Sequence, residues 1–489
     1  MNFVSLQYAF FLLIVFFFFY SLPHRHQWKL LLIASTVFYM ISIPVYVVIP
    51  LIIGLVSYGG GILIERTQRP DWKKAILLIS LFVNVGVLIF FKYVDFIIKS
   101  FLKVFNFIQI HLFHVESVVN NPWAFNLLVP LGISYITFQA IGYIIEIYRG
   151  NHPAERNIGL YFTYLMFFPK LFSGPIERAH HFLPQLHEKK IFDYHQASDG
   201  LKLIVWGLFK KLVIAENLGL ITNPVFNSPD KYTGTPVILA SLFFTVQLYA
   251  DFSGYTDIAI GSANVLGFKL MKNFEFPFIA KSTTELWRRW HISLSTWFFE
   301  YVYNPIAIAK RSWDKWAVVY ASLLTFLLLG LWHEASWKFV IFGLLQGIVL
   351  SIEFLTRKLR KAVSSRLPGM VNDCVGVVFT FCFFSFALIF FRSNILSDAV
   401  TIIKHLFSFS DAGGRINSLT IALTIQETLM AMFWVSFLLI VEHFDRNFDL
   451  KKVVAKQALL LRWAIYYTVI FTILTFGVCQ QSQFIYFKF

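Results

Sequence analysis

Charge is scarce in this chain. Asp, Glu, Lys and Arg make up only 14% of its 489 residues, against 57% hydrophobic and 19% aromatic residues, and mean hydropathy is +0.65. A soluble fold cannot hide that much apolar surface, so lipid becomes the natural solvent. Cysteine is nearly absent. Cys374, Cys382 and Cys479 lie in or beside apolar runs, have no metal-ligand spacing and are too few for a disulfide framework. They read as packed thiols. Several signatures are missing too: no Walker loop, no G-x-G-x-x-G entering a βαβ pattern, no H-E-x-x-H and no G-x-S-x-G elbow. Nucleotide-driven, zinc-hydrolase and serine-hydrolase chemistry therefore has no sequence support.

What is present is a succession of long apolar runs. A membrane-spanning helix needs about 20 mainly apolar residues. Runs of that kind cover 5–22, 28–43, 46–64 and 75–93, and further ones 125–148, 161–172, 201–220, 236–266, 316–332, 337–355, 375–391, 428–441 and 461–478. The first run follows no basic n-region and ends in no small-residue cleavage site, so it reads as a retained span. Residues 94–123 mix Lys and His into an apolar pattern, which predicts an interfacial amphipathic helix on the outer side.

Gly, Pro or charge interrupts several runs, so the expected fold is an all-α polytopic transmembrane bundle of about 11–13 helices, some short or re-entrant. No repeat, low-complexity tract or linker divides it, and one domain over 1–489 is expected. The formal charge of +15 does not point to nucleic acid. The basic residues sit in short loops between apolar runs, "ERTQRPDWKK" (65–74), "KRSWDK" (310–315) and "TRKLRKAVSSR" (356–366). That is the positive-inside pattern of cytoplasmic loops, and it makes the bilayer the first partner. The basic "HRHQWK" loop (24–29) and the 65–74 loop share the cytoplasmic side if the N-terminus is outside.

Ionisable residues inside a membrane cost about 2.5–3.5 kcal/mol each on insertion scales and usually face a protein interior or a water-filled path. Four polar islands meet that description. In "QLYADFSGYTDIAIGSANVLGF" (247–268), Asp251 and Asp257 flank small and polar residues that can open a helix locally; an ordinary loop is the plain alternative. In "ELWRRWHISLSTWFFEYVYNPI" (285–306), a helix from Thr284 places Glu285 and Arg289 on one side and Arg288 and His291 on the next. A semi-buried, cavity-lining helix with its tryptophans towards lipid and interface fits this stretch, and an interfacial anchor whose arginines meet lipid phosphates is the bland reading. In "LLTFLLLGLWHEASWKFVIFGLLQG" (323–347), His333 sits between two apolar runs. A histidine withdrawn from water is neutral and can take a proton, which suits activation of a hydroxyl nucleophile. A lone histidine is nonetheless more often a packing residue. The adjacent Glu334 could tune it or simply meet water. Arg392, closing the run in "FRSN" (391–394), reads as a snorkelling arginine.

Taken together and in order, these islands and their neighbours resemble the membrane-bound O-acyltransferase superfamily, specifically its bacterial alginate O-acetyltransferase branch. The runs that carry the resemblance are "LLVPLGISYITFQAIGYIIEIYRG" (127–150), "FFPKLFSGPIERAHHFLPQL" (167–186), "GLFKKLVIAENL" (207–218), "YADFSGYTDIAIGSANVLGF" (249–268), "LWRRWHISLSTW" (286–297), "GLWHEASW" (330–337) and "FIYFKF" (484–489). The resemblance implies a helical fold around a through-membrane reaction tunnel. It further implies transfer of an acyl group from a cytoplasmic donor towards an extracytoplasmic acceptor. The donor would be acetyl-CoA or another acyl thioester, with no resident cofactor or metal. The acceptor would be a polysaccharide, reached through a partner protein that completes the transfer. The catalytic histidine of the family matches His333 and a second family histidine matches His291, the first as general base or acceptor-orienting residue and the second in support. Two positions depart from the pattern: Glu334 where the family often has Gly, and Gln346 where it often has His. The alternatives are peptidoglycan or cellulose as acceptor, D-alanyl transfer to teichoic acid, and an acyl-group transporter without catalysis. No inverted repeat supports the last.

Overall fold

The computed structural model describes residues 2–41, 44–113, 130, 132–408 and 425–478, and among these every regular element is a helix. Lipid offers backbone groups no hydrogen bonds, so each spanning segment must satisfy its own. Eight helices among the described residues are long and apolar enough to cross a membrane: Pro44–Arg66, Pro70–Lys92, Thr235–Val265, Lys315–His333, Trp337–Leu355, Gly369–Arg392, Gln426–Phe448 and Leu459–Phe476. Shorter helices such as Leu6–Ser21 and Ile133–Tyr148 accompany them. The chain is a multi-pass, all-α membrane protein.

Two compact units divide it. The first comprises Met1–Phe172, Ile176–Phe192 and Glu334–Ser336. Its centre is Ile133–Tyr148, buried along nearly its whole length. Gly54 and Gly61 let neighbouring helices approach closely, since a methyl group at Gly54 would collide with the Phe162 ring and one at Gly61 would stand 2.8 Å from Ile147. The "HRHQWK" loop is in fact the opening of a helix, His24–Met40, because Pro23 starts it with the right backbone geometry. The 161–172 run does not continue as one helix. It stops at Met166 and passes into a tight turn, Phe168–Lys170, where Pro169 lacks a donor. The amphipathic segment forms Val94–Phe113, and its remainder to Trp123 lies outside the described residues.

The second unit comprises Ser173–Pro175, Asp193–His333 and Trp337–Phe489. Its core is the 31-residue helix Thr235–Val265. Tyr194–Phe209 packs against it through reciprocal glycines. A methyl at Gly207 would stand 2.5 Å from the Gly254 carbonyl oxygen, and one at Gly200 would stand 2.6 Å from that of Gly261. Neither reading of the 247–268 island holds, because Asp251 and Asp257 sit in an unbroken helix. The neighbouring π-helical segment Lys210–Ala215 explains why. Lys210 Nζ lies 2.7 Å from Asp257 and 2.9 Å from Ser253 Oγ, and Lys211 Nζ lies 2.6 Å from Asp251 and 2.5 Å from Glu216. The carboxylates are therefore neutralised by cations in place of water, and Gly254 serves close packing instead of unwinding.

Candidate active site

His291 is presented by a break between two short helices, Thr283–Arg289 and Ile292–Phe298. Ser282 starts the first by accepting the Glu285 N–H at 3.1 Å. Glu285 and Arg289 then pair across one turn at 2.9 Å, as their spacing predicts. The continuous helix expected from Thr284 does not form. His291 adopts a left-handed backbone, with φ 44° and ψ 52°. For a residue with a Cβ that conformation costs about 1–2 kcal/mol, and it persists only where surrounding contacts hold it.

Asn273 supplies those contacts. Its backbone carbonyl accepts the Ile292 N–H at 2.8 Å. Its side-chain Oδ1 accepts the Ser293 N–H at 3.3 Å and the Ser293 hydroxyl at 2.9 Å, and lies 3.0 Å from His291 Nδ1. A backbone N–H can only donate, so the Asn273 atom it meets is the carbonyl oxygen. His291 Nδ1 must then carry the proton and donate it, an assignment made from the hydrogen-bond network. The lone pair is left on Nε2. That atom is buried and makes no hydrogen bond among the described residues. Burial holds the imidazole neutral, pushing its pKa down to about 3.

His333 is the last residue of Lys315–His333 and is 5% exposed. Its ring lies among Trp332, Phe391, Phe339 and Phe342, with centroids 4.9, 5.2, 6.0 and 6.2 Å away. The Trp332 ring is also 6.0 Å from that of His291. One indole therefore adjoins both histidines singled out by the sequence.

The hairpin that ends at His333 is close-packed. A methyl on Gly343 would collide with the Phe326 carbonyl oxygen, and one on Gly330 would collide with that of Phe339. Two polar ties join Trp337–Leu355 to the segment bearing His291. Gln346 Oε1 accepts the Trp287 indole N–H at 3.1 Å. The Glu353 carboxylate accepts the backbone N–H groups of Thr283 at 2.7 Å and Thr284 at 3.1 Å. Gln346 thus has a structural partner at the position where the family pattern often carries histidine. The tryptophans of the 285–306 stretch do not face lipid as expected. Trp287, Trp290 and Trp297 are all buried, and Trp290 packs 5.0 Å from Phe384 and 5.3 Å from Phe274. Arg392 does not snorkel either, since its guanidinium bonds Asn223 and Asn227 at 2.9 and 3.0 Å over the Phe226 ring.

Sequence reasoning gave no role to Asn273, Glu353 or Trp332. Trp332 stands inside the "GLWHEASW" run, where its neighbour His333 drew the attention, whereas Asn273 and Glu353 lie in no quoted motif and meet the His291 segment only through contacts across the fold. The first unit holds a polar cluster of its own, made by Gln139, Tyr164, Lys170, Glu177 and His181. Buried Lys170 bonds Gln139 and lies 4.2 Å from the Tyr164 ring. His181 Nδ1 is 2.7 Å from buried Glu177, whose carboxylate raises the imidazole pKa above its usual value.

The sequence model of the family described as "MBOAT, membrane-bound O-acyltransferase family" matches residues 156–392, a range that includes both histidines. A "Probable alginate O-acetylase AlgI" of Azotobacter vinelandii is 35% identical over 84% of this chain and 79% of its own length. A "Peptidoglycan O-acetyltransferase" of Helicobacter pylori is 32% identical over 76% of this chain and 72% of its own length. A "Teichoic acid D-alanyltransferase" of Bacillus subtilis is 30% identical over 55% of this chain and 70% of its own length.

Proposed function

This chain belongs to the membrane-bound O-acyltransferase family, and from that premise we propose that it passes an acetyl group from a cytoplasmic acyl thioester to hydroxyls of an alginate-like exopolysaccharide outside the bacterial inner membrane. As an O-acyltransferase it must bring a thioester and a hydroxyl together away from bulk water. The observation that carries the reading is the pair of buried imidazoles, His291 and His333, both next to the Trp332 ring.

His333 is the proposed general base. As the acceptor oxygen attacks the thioester carbonyl carbon, His333 takes the hydroxyl proton and a C–O bond forms. Collapse of the tetrahedral intermediate breaks the C–S bond, and the proton passes to the departing thiolate. No net proton is gained or lost. His291 holds a reactant through the lone pair of Nε2, aligning it for attack. A tunnel would admit the donor from the cytoplasmic face, and a partner protein outside would complete delivery. Acetyl transfer is favoured over D-alanyl transfer because similarity to the acetylating relative covers 84% of this chain, against 55% for the D-alanylating one. Peptidoglycan is the alternative acceptor, favoured by the H. pylori relative.

The test uses inside-out membrane vesicles from the native cell, supplied with acetyl-labelled acetyl-CoA on their exposed cytoplasmic face. The reading predicts alkali-labile label on luminal carbohydrate. Label recovered in the lumen only as free small molecules would favour transport without catalysis and overturn it.

A further inference from the structure

We infer that Asn273 is a positioning residue that fixes both the tautomer and the place of His291, so that Nε2 is the nitrogen offered to the reactants. The inference rests on the preceding reading only in giving His291 a supporting part in transfer; the geometry stands apart from it.

Four features converge on this one residue. Asn273 Oδ1 meets three donors, Ser293 N–H, Ser293 Oγ–H and His291 Nδ1–H, within 3.3 Å. Its own backbone carbonyl holds Ile292 at 2.8 Å, so residues 291–293 are clasped from both main chain and side chain. The clasped residue is His291, one of four non-glycine residues with positive φ among those described. Asn273 is itself only 1% exposed, so water does not compete for these bonds.

The chemistry follows from the acceptor. An oxygen that already receives two Ser293 hydrogens cannot donate to Nδ1, so the opposite tautomer would set two lone pairs face to face. In an apolar pocket walled by Phe252 at 4.7 Å and Trp332 at 6.0 Å, that repulsion is not relieved by solvent. Asn273 therefore decides which nitrogen is basic. An amide does so without adding charge, which keeps the imidazole neutral and able to accept a hydrogen bond. Carbonyl groups behind metal-ligating histidines set ring orientation and tautomer in the same way.

The experiment pairs a spectroscopic signature with rescue by a conservative variant. Full-length protein is labelled with 15N-histidine in lipid and observed by solid-state NMR, the His291 signal being identified by its loss in His291→Asn. The wild type should show a protonated Nδ1 and a bare Nε2 at neutral pH. Asn273→Leu, of similar volume but without an acceptor, should lose that single tautomer and lower acetyl transfer at least tenfold at matched membrane levels. Asn273→Asp keeps the oxygen and should retain a protonated Nδ1. A wild-type His291 protonated on Nε2 alone would overturn the inference, as would an Asn273→Leu protein that keeps the wild-type tautomer. If Asn273→Leu fails to insert, the wild-type spectrum and Asn273→Asp still decide. Because tautomer and transfer are read separately, a correct tautomer alongside full transfer in His291→Asn would sink the role of His291 and leave the clasp intact.

Discussion

His291 combines a strained backbone, complete burial and a neutral ring, and those three properties have a joint consequence in acid. Its folded pKa of about 3 lies below the usual histidine value of 6.5. The unfolded chain takes up a proton at this residue as pH falls through 6.5, while the folded chain does not until about pH 3. Protonation therefore favours the unfolded state between those values, and stability from this residue is lost as pH falls, by about 1.4 kcal/mol per pH unit. Thermal unfolding of purified protein in detergent, followed by tryptophan fluorescence from pH 7 to pH 4, should show a steeper decline for wild type than for His291→Asn. Asparagine is the apt replacement because it tolerates the left-handed backbone. Equal slopes would mean that the ring is hydrated or charged in the folded state. At this scale the sequence revealed the two histidines but not what governs them. A motif names His291 and His333 and contains Trp332 without giving it a role, whereas Asn273 and Glu353 reach the His291 segment through contacts that close only when distant segments meet.

The helical hairpin of Lys315–His333 and Trp337–Leu355 is what places His333, and glycine sets its separation. A methyl on Gly343 would run into the Phe326 carbonyl oxygen, where only a backbone shift could relieve it. Gly343→Ala should therefore lower thermal stability and transfer together, although alanine is the better helix former. By contrast, a methyl on Gly86, in Pro70–Lys92, would meet nothing within 4 Å. Gly86→Ala should leave transfer unchanged and hold or raise stability, by up to about 1 kcal/mol. Melting curves and transfer rates of the two variants, compared side by side, check both expectations. If Gly343→Ala proved as benign as Gly86→Ala, close backbone packing would not be what positions His333. Elements were the most legible level of the sequence. Hydropathy alone marked Trp337–Leu355 with the bounds the structure keeps. It failed where polar groups are paired internally. Asp251 and Asp257 looked like helix breakers because Lys210 and Lys211, which neutralise them, lie some forty residues earlier. The tryptophans of 285–306 looked like interface anchors because amphipathic side chains favour that place when no aromatic pocket is available to bury them.

For the whole molecule, composition settled the solvent and the helical class, since no soluble fold accommodates this much apolar surface. The ordered polar runs then pointed to one family, and the match over 156–392 agrees with that placement. The closing "FIYFKF" run and Cys479 lie outside the described residues, as do 114–123; Cys374 and Cys382, expected as packed thiols, are exposed on Gly369–Arg392. The central claim is that two buried imidazoles beside one indole serve acyl transfer. The direct measurement is the acetyl content of the extracellular polysaccharide in cells that carry either wild type or His333→Ala as their sole copy, at matched membrane levels. A general base contributes about a hundredfold or more to rate, so the account predicts that His333→Ala reduces acetylation to background. Acetylation at the wild-type level in His333→Ala cells would contradict it and make His333 a packing residue of the hairpin.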